Sequence, residues 1–145
     1  MKATIFHKTF EFNVPQDVAS KYLKACEILD KKEEAYKKSE LNFDITPEEI
    51  FPLIALSAVV EQASSNIDNV HECDDTHTIA IKLPSFNNFS TMLNVRMKAN
   101  SSIEPLIRNA AAEISLNCDM FKASYKQEDA DLYRMAVLKV LTEQL

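Results

Sequence analysis

The sequence predicts an α+β fold made of two β-β-α-α units in one chain. Three observations predict it. Short alternating runs rich in β-branched and aromatic residues open each half. Apolar residues at steps of three and four follow them. The same order of elements then occurs a second time.

Thr4-Ile5-Phe6 and Thr9 to Val14 read as two strands, with Phe10, Phe12 and Val14 on one face of the second. His7-Lys8 between them has the length of a two-residue hairpin loop, so Lys2 to Pro15 is expected to be a β-hairpin. After Pro15, with Asp17 as the expected cap, Val18, Tyr22, Ala25, Cys26, Leu29 and Tyr36 mark one amphipathic helix ending near Ser39. Thr46-Pro47-Glu48-Glu49 combines a cap, a first-turn proline and a capping-box glutamate. It starts a helix that carries Ile50 to Val59 and ends near Ser64. Pro52 lies inside that helix and removes one backbone donor.

Ala63 to His77 is polar and acidic without periodicity, which predicts a linker. Thr78 to Leu83 and Thr91 to Ala99 are the next two strands, with Asn87-Asn88 as their turn. A helix capped by Ser101 or Ser102 carries Ile103, Ile107, Ala110, Ile114, Cys118, Phe121 and Tyr125 at steps of three and four. A last helix, from near Glu128, carries Leu132 to Leu145.

Some residues repeat along with the elements. Phe10 to Val14 parallels Val95 to Ala99, and Leu23 to Cys26 parallels Ile107 to Ala110 with a one-residue shift. Ala55 to Gln62 parallels Val137 to Gln144, both closing on Glu-Gln. The expected organisation is a first unit at 1–62, an acidic linker at 63–77 and a divergent second unit at 78–145. The two hairpins have the option of joining into one four-stranded antiparallel sheet flanked by helices, which would be more stable than either alone.

The composition removes several functions. The chain of 145 residues contains no glycine. A P-loop, a dinucleotide-binding turn and a nucleophile elbow all need glycine where backbone must approach an anion or take positive φ. The net charge of -6 opposes binding to phosphate backbones, so no nucleic-acid partner is expected. No apolar run is long enough to cross a bilayer, and Met1 to Pro15 lacks the apolar block of a signal peptide, so a cytoplasmic protein with no membrane partner is expected. Cys26, Cys73 and Cys118 are an odd set without framework spacing, consistent with reduced thiols.

Two local clusters are candidates for function. His71, Cys73 and His77, with Glu72, Asp74 and Asp75, hold a zinc-type donor set, but the spacing matches no standard motif and one loop rarely encloses a metal alone. A solvated acidic linker is the default reading, with no metal and no cofactor. Lys31, Lys32, Lys37 and Lys38 form a basic cluster on the first helix, read either as a solvated face paired with Glu27, Glu33 and Glu34 or as a contact patch for an acidic partner. Ser, His and Asp show no triad spacing, and no catalytic activity is expected.

The first half resembles the ZapA family of bacterial cell-division proteins. The likeness rests on Ala3 to Pro15, on Leu23-Lys24-Ala25-Cys26-Glu27 to Leu29-Asp30, and on Glu48-Glu49-Ile50-Phe51 to Ile54-Ala55-Leu56. It covers Lys2 to about Gln62, in short apolar motifs. The resemblance implies a dimerising head made of the hairpin and first helix, and binding to the FtsZ filament. It places Lys8 and Lys37 at the partner contact, and Lys38 of the basic cluster is taken with them.

The departures are His7 in place of the family's turn glycine, Glu11 where a basic residue is common, and a linker and second unit in place of the long coiled-coil tail. The expectation is therefore a fused head pair, present as a monomeric pseudo-dimer or a homodimer, that associates with FtsZ and modulates its assembly. The alternatives are an adaptor of mobile-element origin with a different protein partner, and a small metal-binding protein using the His71-Cys73-His77 loop.

Overall fold

A computed structural model describes residues 1–39, 47–67, 75–86, 90–99 and 102–145. The elements run β1 (Lys2–Ile5), β2 (Lys8–Glu11), α1 (Gln16–Lys37), α2 (Pro47–Ser65), β3 (Thr76–Pro84), β4 (Ser90–Lys98), α3 (Ile103–Ser124) and α4 (Asp129–Glu143). This is the expected β-β-α-α order, twice.

The joined sheet does not form. β1 pairs only with β2 and β3 only with β4, giving two separate antiparallel ribbons. The reason is visible in the packing, because each hairpin lies on the first helix of its own unit and the helices fill the space between the ribbons. Helix α2 is apolar around nearly its whole circumference: Ile50, Phe51, Ile54, Ala55, Leu56, Ala58 and Val59 are all buried. A helix of that character belongs in the centre of a fold. It packs against α1, α3 and α4.

The element contacts are unchanged when the two units are exchanged. The contact of α1 with β1 becomes that of α3 with β3, α1–α2 becomes α3–α4, α1–α4 becomes α3–α2, and α2–α4 maps onto itself. Helices α1 and α3 are each 22 residues long. The two units therefore share one apolar core, with contacts that repeat when the units are exchanged.

Several boundaries differ from those expected. The first hairpin turns on Phe6-His7, not His7-Lys8, because Ile5 pairs with Lys8. Both turn residues have positive φ, 46° and 67°. A two-residue hairpin loop of this handedness needs positive φ at both positions, and without glycine two side-chain-bearing residues take the strain. Strand β2 stops at Glu11, although the Phe12 N–H still donates to the Met1 carbonyl at 2.8 Å.

Pro15, not Asp17, precedes α1, and neither Pro15 nor Ser102 makes a side-chain capping bond. The expected linker is shorter, since α2 runs to Ser65 and β3 begins at Thr76. The Thr46 cap, the Ser101 cap and the Asn87-Asn88 turn lie outside the described residues. Among the described residues no helix is long and apolar enough to cross a membrane.

Candidate functional site

The strained turn of the first hairpin sits at the joint between the units. Phe6 is 1% exposed and stacks on Phe51 of α2 at 4.3 Å between ring centroids. Phe86, just past β3, meets Phe6, Phe51 and Tyr133 edge-on at 5.5, 4.8 and 5.1 Å. Burying such rings contributes roughly 1.5–3 kcal/mol each, enough to offset the 1–3 kcal/mol cost of an unusual backbone conformation. From α4, Arg134 lies 4.3 Å over the Phe86 ring and donates to the Phe6 carbonyl at 3.4 Å. One unit's helix thus holds the other unit's turn.

Charged groups surround this joint. Glu33 on α1 is 3% exposed, and its Oε1 lies 2.7 Å from His7 Nε2 and 3.2 Å from Lys37 Nζ. The Asp131 carboxylate on α4 lies 2.6 Å from Lys8 Nζ and 3.5 Å from Arg134 Nη1. Burial lowers the pKa of Arg134, which Asp131 opposes. Two of the three lysines expected at the partner contact are therefore paired within the chain while staying about half exposed: Lys8, 45% exposed, ties β2 to α4, and Lys37, 51% exposed, pairs with the buried Glu33. Lys38 ends α1 as an exposed residue whose backbone N–H donates to the Glu34 carbonyl at 3.0 Å.

His71 and Cys73 lie outside the described residues. His77 belongs to β3, not to a loop, and its Nε2 is 3.1 Å from Glu104 Oε2 on α3. Among the described residues no group of three His, Cys, Asp or Glu side chains converges as a metal site. Burial pushes the Cys26 thiol up to about 11 and the Cys118 thiol up to about 12. Both are neutral at physiological pH and pack as small apolar groups.

The internal repeat relates two of the clefts among the described residues. In each hairpin the first strand is covered by its own helix, while the second strand overhangs. Ile79 and Ile81 of β3 are 5% exposed, whereas Val95 and Leu93, their cross-strand partners, are only half-buried. Beneath β2 lies a cleft of about 360 Å³ reached by Phe10, Phe12, Tyr22, Phe121, Tyr125 and Lys139. Beneath β4 lies a groove of about 360 Å³ formed by Leu53, Leu56, Val60, Val95, Ile103 and Ile107.

In the repeat alignment Phe10 falls on Val95, Leu56 on Leu138 and Ser57 on Lys139, so several of the same positions line both. Their chemistry has diverged. The cleft beneath β2 is aromatic with polar edges. The groove beneath β4 is lined by aliphatic side chains, with Glu61, Ser57 and Ser64 at its border.

Compared with known proteins, the chain matches no family model, no curated protein and no solved structure. No family, relative or structural neighbour found there indicates a ZapA-like protein.

Reading the sequence paired Glu33 with the α1 lysines but missed its burial and its contact with His7, and it missed the Asp131 pairs and the aromatic joint. A signal for Glu33 was present, since it falls four residues after Leu29 and seven after Cys26 on the apolar stripe of α1. An acidic residue on a buried stripe needs a partner. Nothing local in the sequence announces Phe86 or Arg134, because their partners are brought together only by packing between the units.

Proposed function

We propose that the chain is a non-enzymatic protein-binding protein, a fused pair of heads that associates with the FtsZ filament and modulates its assembly. The observation that carries this reading is the exchange of contacts between the units. One chain holds the arrangement that two copies of a β-β-α-α head would build, which is the organisation the family likeness implies. The solvent face of α1, ending at Lys37 and Lys38, is the basic surface offered to an acidic partner. Lys8 is turned to Asp131 and supports the fold before it can support a contact. Because α2 ends at Ser65 and is followed by the second unit, this pair of heads is expected to cap or modulate filaments, not to cross-link them.

Co-sedimentation with polymerised FtsZ tests the reading. The chain is expected in the pellet at low salt, released as salt rises, and lost from the pellet when Lys37 and Lys38 are both changed to Glu. A chain that stays in the supernatant at low salt rules the partner out. Loss of an isolated charge pair on reversal would also alter the fold around Glu33, so Lys38→Glu alone is the cleaner variant.

A further inference from the structure

We propose that the cleft beneath β2 binds a small planar aromatic carboxylate, held between two ring-lined walls and paired with Lys139. The cleft has a volume of about 360 Å³, within the range of small-molecule sites. Both units build it. On one wall Phe10, Phe12 and Tyr22 form a continuous run, with ring centroids 6.2 Å apart and then 5.3 Å. The other wall is Phe121, in the last turn of α3, and Tyr125, in the extended backbone that follows, 5.8 Å apart. Among the described residues no ring of one wall pairs with a ring of the other, so the space between them is open to a ligand. Flat ring faces and edges on both sides suit a planar aromatic group better than an aliphatic chain.

Charge selects the sign of the ligand. Glu11 and Lys139 are the two charged residues that line the cleft. Glu11 alternates with Phe10 and Phe12 and lies directly opposite Lys2 in the ribbon, so its carboxylate is on the outer face. Lys139 on α4 is half-buried, and its Nζ lies 5.9 Å from the centre of the Phe121 ring. It makes no ion pair among the described residues. A half-buried ammonium beside an aromatic wall, without a carboxylate of its own, gains most from an anion that the ligand brings. Glu143, one turn further along α4, is exposed, where water and salt screen its charge. Burial, and then that charge, push the Tyr22 pKa up, so its hydroxyl stays a neutral donor on the first wall.

The repeat-related groove beneath β4 shows what this cleft has that its counterpart lacks. Ser57 stands there at the position of Lys139, the walls are aliphatic, and Glu61 is on the border. That groove offers neither flat walls nor a cation. This inference goes beyond the filament reading and does not depend on it.

Calorimetric titration of the full chain with 2-naphthoate, without FtsZ present, tests it. Saturable binding is expected with a Kd on the order of 100 µM. The amide 2-naphthamide keeps the rings without the charge and is expected to bind about 10-fold more weakly. Decahydro-2-naphthoate keeps the charge without the flat rings and is expected to bind about 5-fold more weakly. Lys139→Gln is expected to weaken 2-naphthoate about 10-fold and leave 2-naphthamide unchanged. Tyr125→Ala, at a position 48% exposed, is expected to weaken both. The proposal is overturned if 2-naphthoate shows no saturable binding at about 2 mM, or if either analogue binds the wild type as tightly as 2-naphthoate. It is overturned equally if Lys139→Gln or Tyr125→Ala keeps both the wild-type melting temperature and the wild-type affinity. The comparison of the three ligands is made on the wild type, so it decides ring and charge even where a variant fails to fold.

Discussion

The two hairpins start from the same plan and meet different fates. The first is short, four residues to a strand, and its turn is forced through positive φ by two residues with side chains. It tolerates this because Phe6 drives into the joint between the units and Arg134 holds the turn carbonyl. The second hairpin is nine residues to a strand and follows the regular alternation of buried and exposed positions along β3. Its far strand overhangs the core and leaves aliphatic surface open. One hairpin has been spent on joining the units, and the other keeps an accessible face. In a duplicated architecture, that division of labour is what a second copy makes available.

The sharpest way to break this contrast is to remove the anchor of the first hairpin. Phe6→Ala is expected to cost about 3–5 kcal/mol in urea unfolding, as deletion of a buried aromatic does. Met92→Ala, at 59% exposure on the outer face of β4, is expected to change stability by less than about 0.5 kcal/mol. A loss below about 1 kcal/mol for Phe6→Ala would mean that relief of turn strain cancels the burial, and the joint would not depend on the ring.

A second comparison separates the two ends of one ion pair. Asp131→Ala leaves Arg134 and Lys8 without their carboxylate in a largely buried setting and is expected to cost about 2–4 kcal/mol. Lys8→Ala removes a 45% exposed side chain and is expected to cost less than about 1 kcal/mol. Equal losses would place the value of the pair in the Lys8 contact, not in the shielding of Arg134.

Tyr133 offers an effect of the opposite sign. It is fully buried, and its hydroxyl has no hydrogen-bond partner among the described residues. Burial drives its pKa well above the usual phenol value, so the neutral form persists throughout the accessible pH range. Tyr133→Phe removes a buried unpaired polar atom while keeping the ring against Phe86, and is expected to stabilise the chain by about 1 kcal/mol in the same assay. A loss instead would show that the hydroxyl is satisfied in solution.

The smallest expected effects contrast the two units in acid. In the first, burial and then the charge of Glu33 hold the Asp30 carboxyl above its usual range, with His7 opposing. Its charged form is thus disfavoured in the fold, and stability is lost as pH rises through that raised value. Asp30→Asn should raise Tm slightly near neutrality and change nothing well below the ordinary carboxylate pKa. In the second unit, the hydrogen bond with His77 is the main cause holding the Glu104 carboxyl below its usual range, helped by Arg108. That contribution is present above the ordinary carboxylate pKa and fades as pH falls through the lowered one. Glu104→Gln should therefore lower Tm slightly near neutrality and leave the acid end unchanged. Melting curves from about pH 3 to about pH 7 read both signs, and two shifts in the same direction would contradict the assignment.

The sequence was most legible where structure is local. Period-two and helical spacing located all eight elements, and the repeated order gave the two-unit plan. What local pattern could not provide was the choice between equivalent pairings. The alternation of Phe10 and Phe12 is as compatible with a joined sheet as with a separate ribbon, and only the insertion of α2 between the units decides it. The turn shifted by one residue for a similar reason. His7-Lys8 looks like the better loop by composition, yet placing Phe6 in the turn buries its ring against Phe51, and that tertiary gain outweighs local preference. Lys8 was legible as a charge but not as a partner, because Asp131 lies in the other unit, whereas the Lys31–Glu27 and Lys37–Glu33 pairs follow from helical spacing.

In the proposed function one chain supplies both halves of a head pair. The most direct measurement is the solution mass of the intact protein at about 1 µM, read together with its unfolding curve. A folded species of 16.5 kDa is the expected result, with a single cooperative unfolding transition shared by both units. Separate transitions for the two halves would contradict the fused pair, and a folded species of twice that mass would give its homodimeric form.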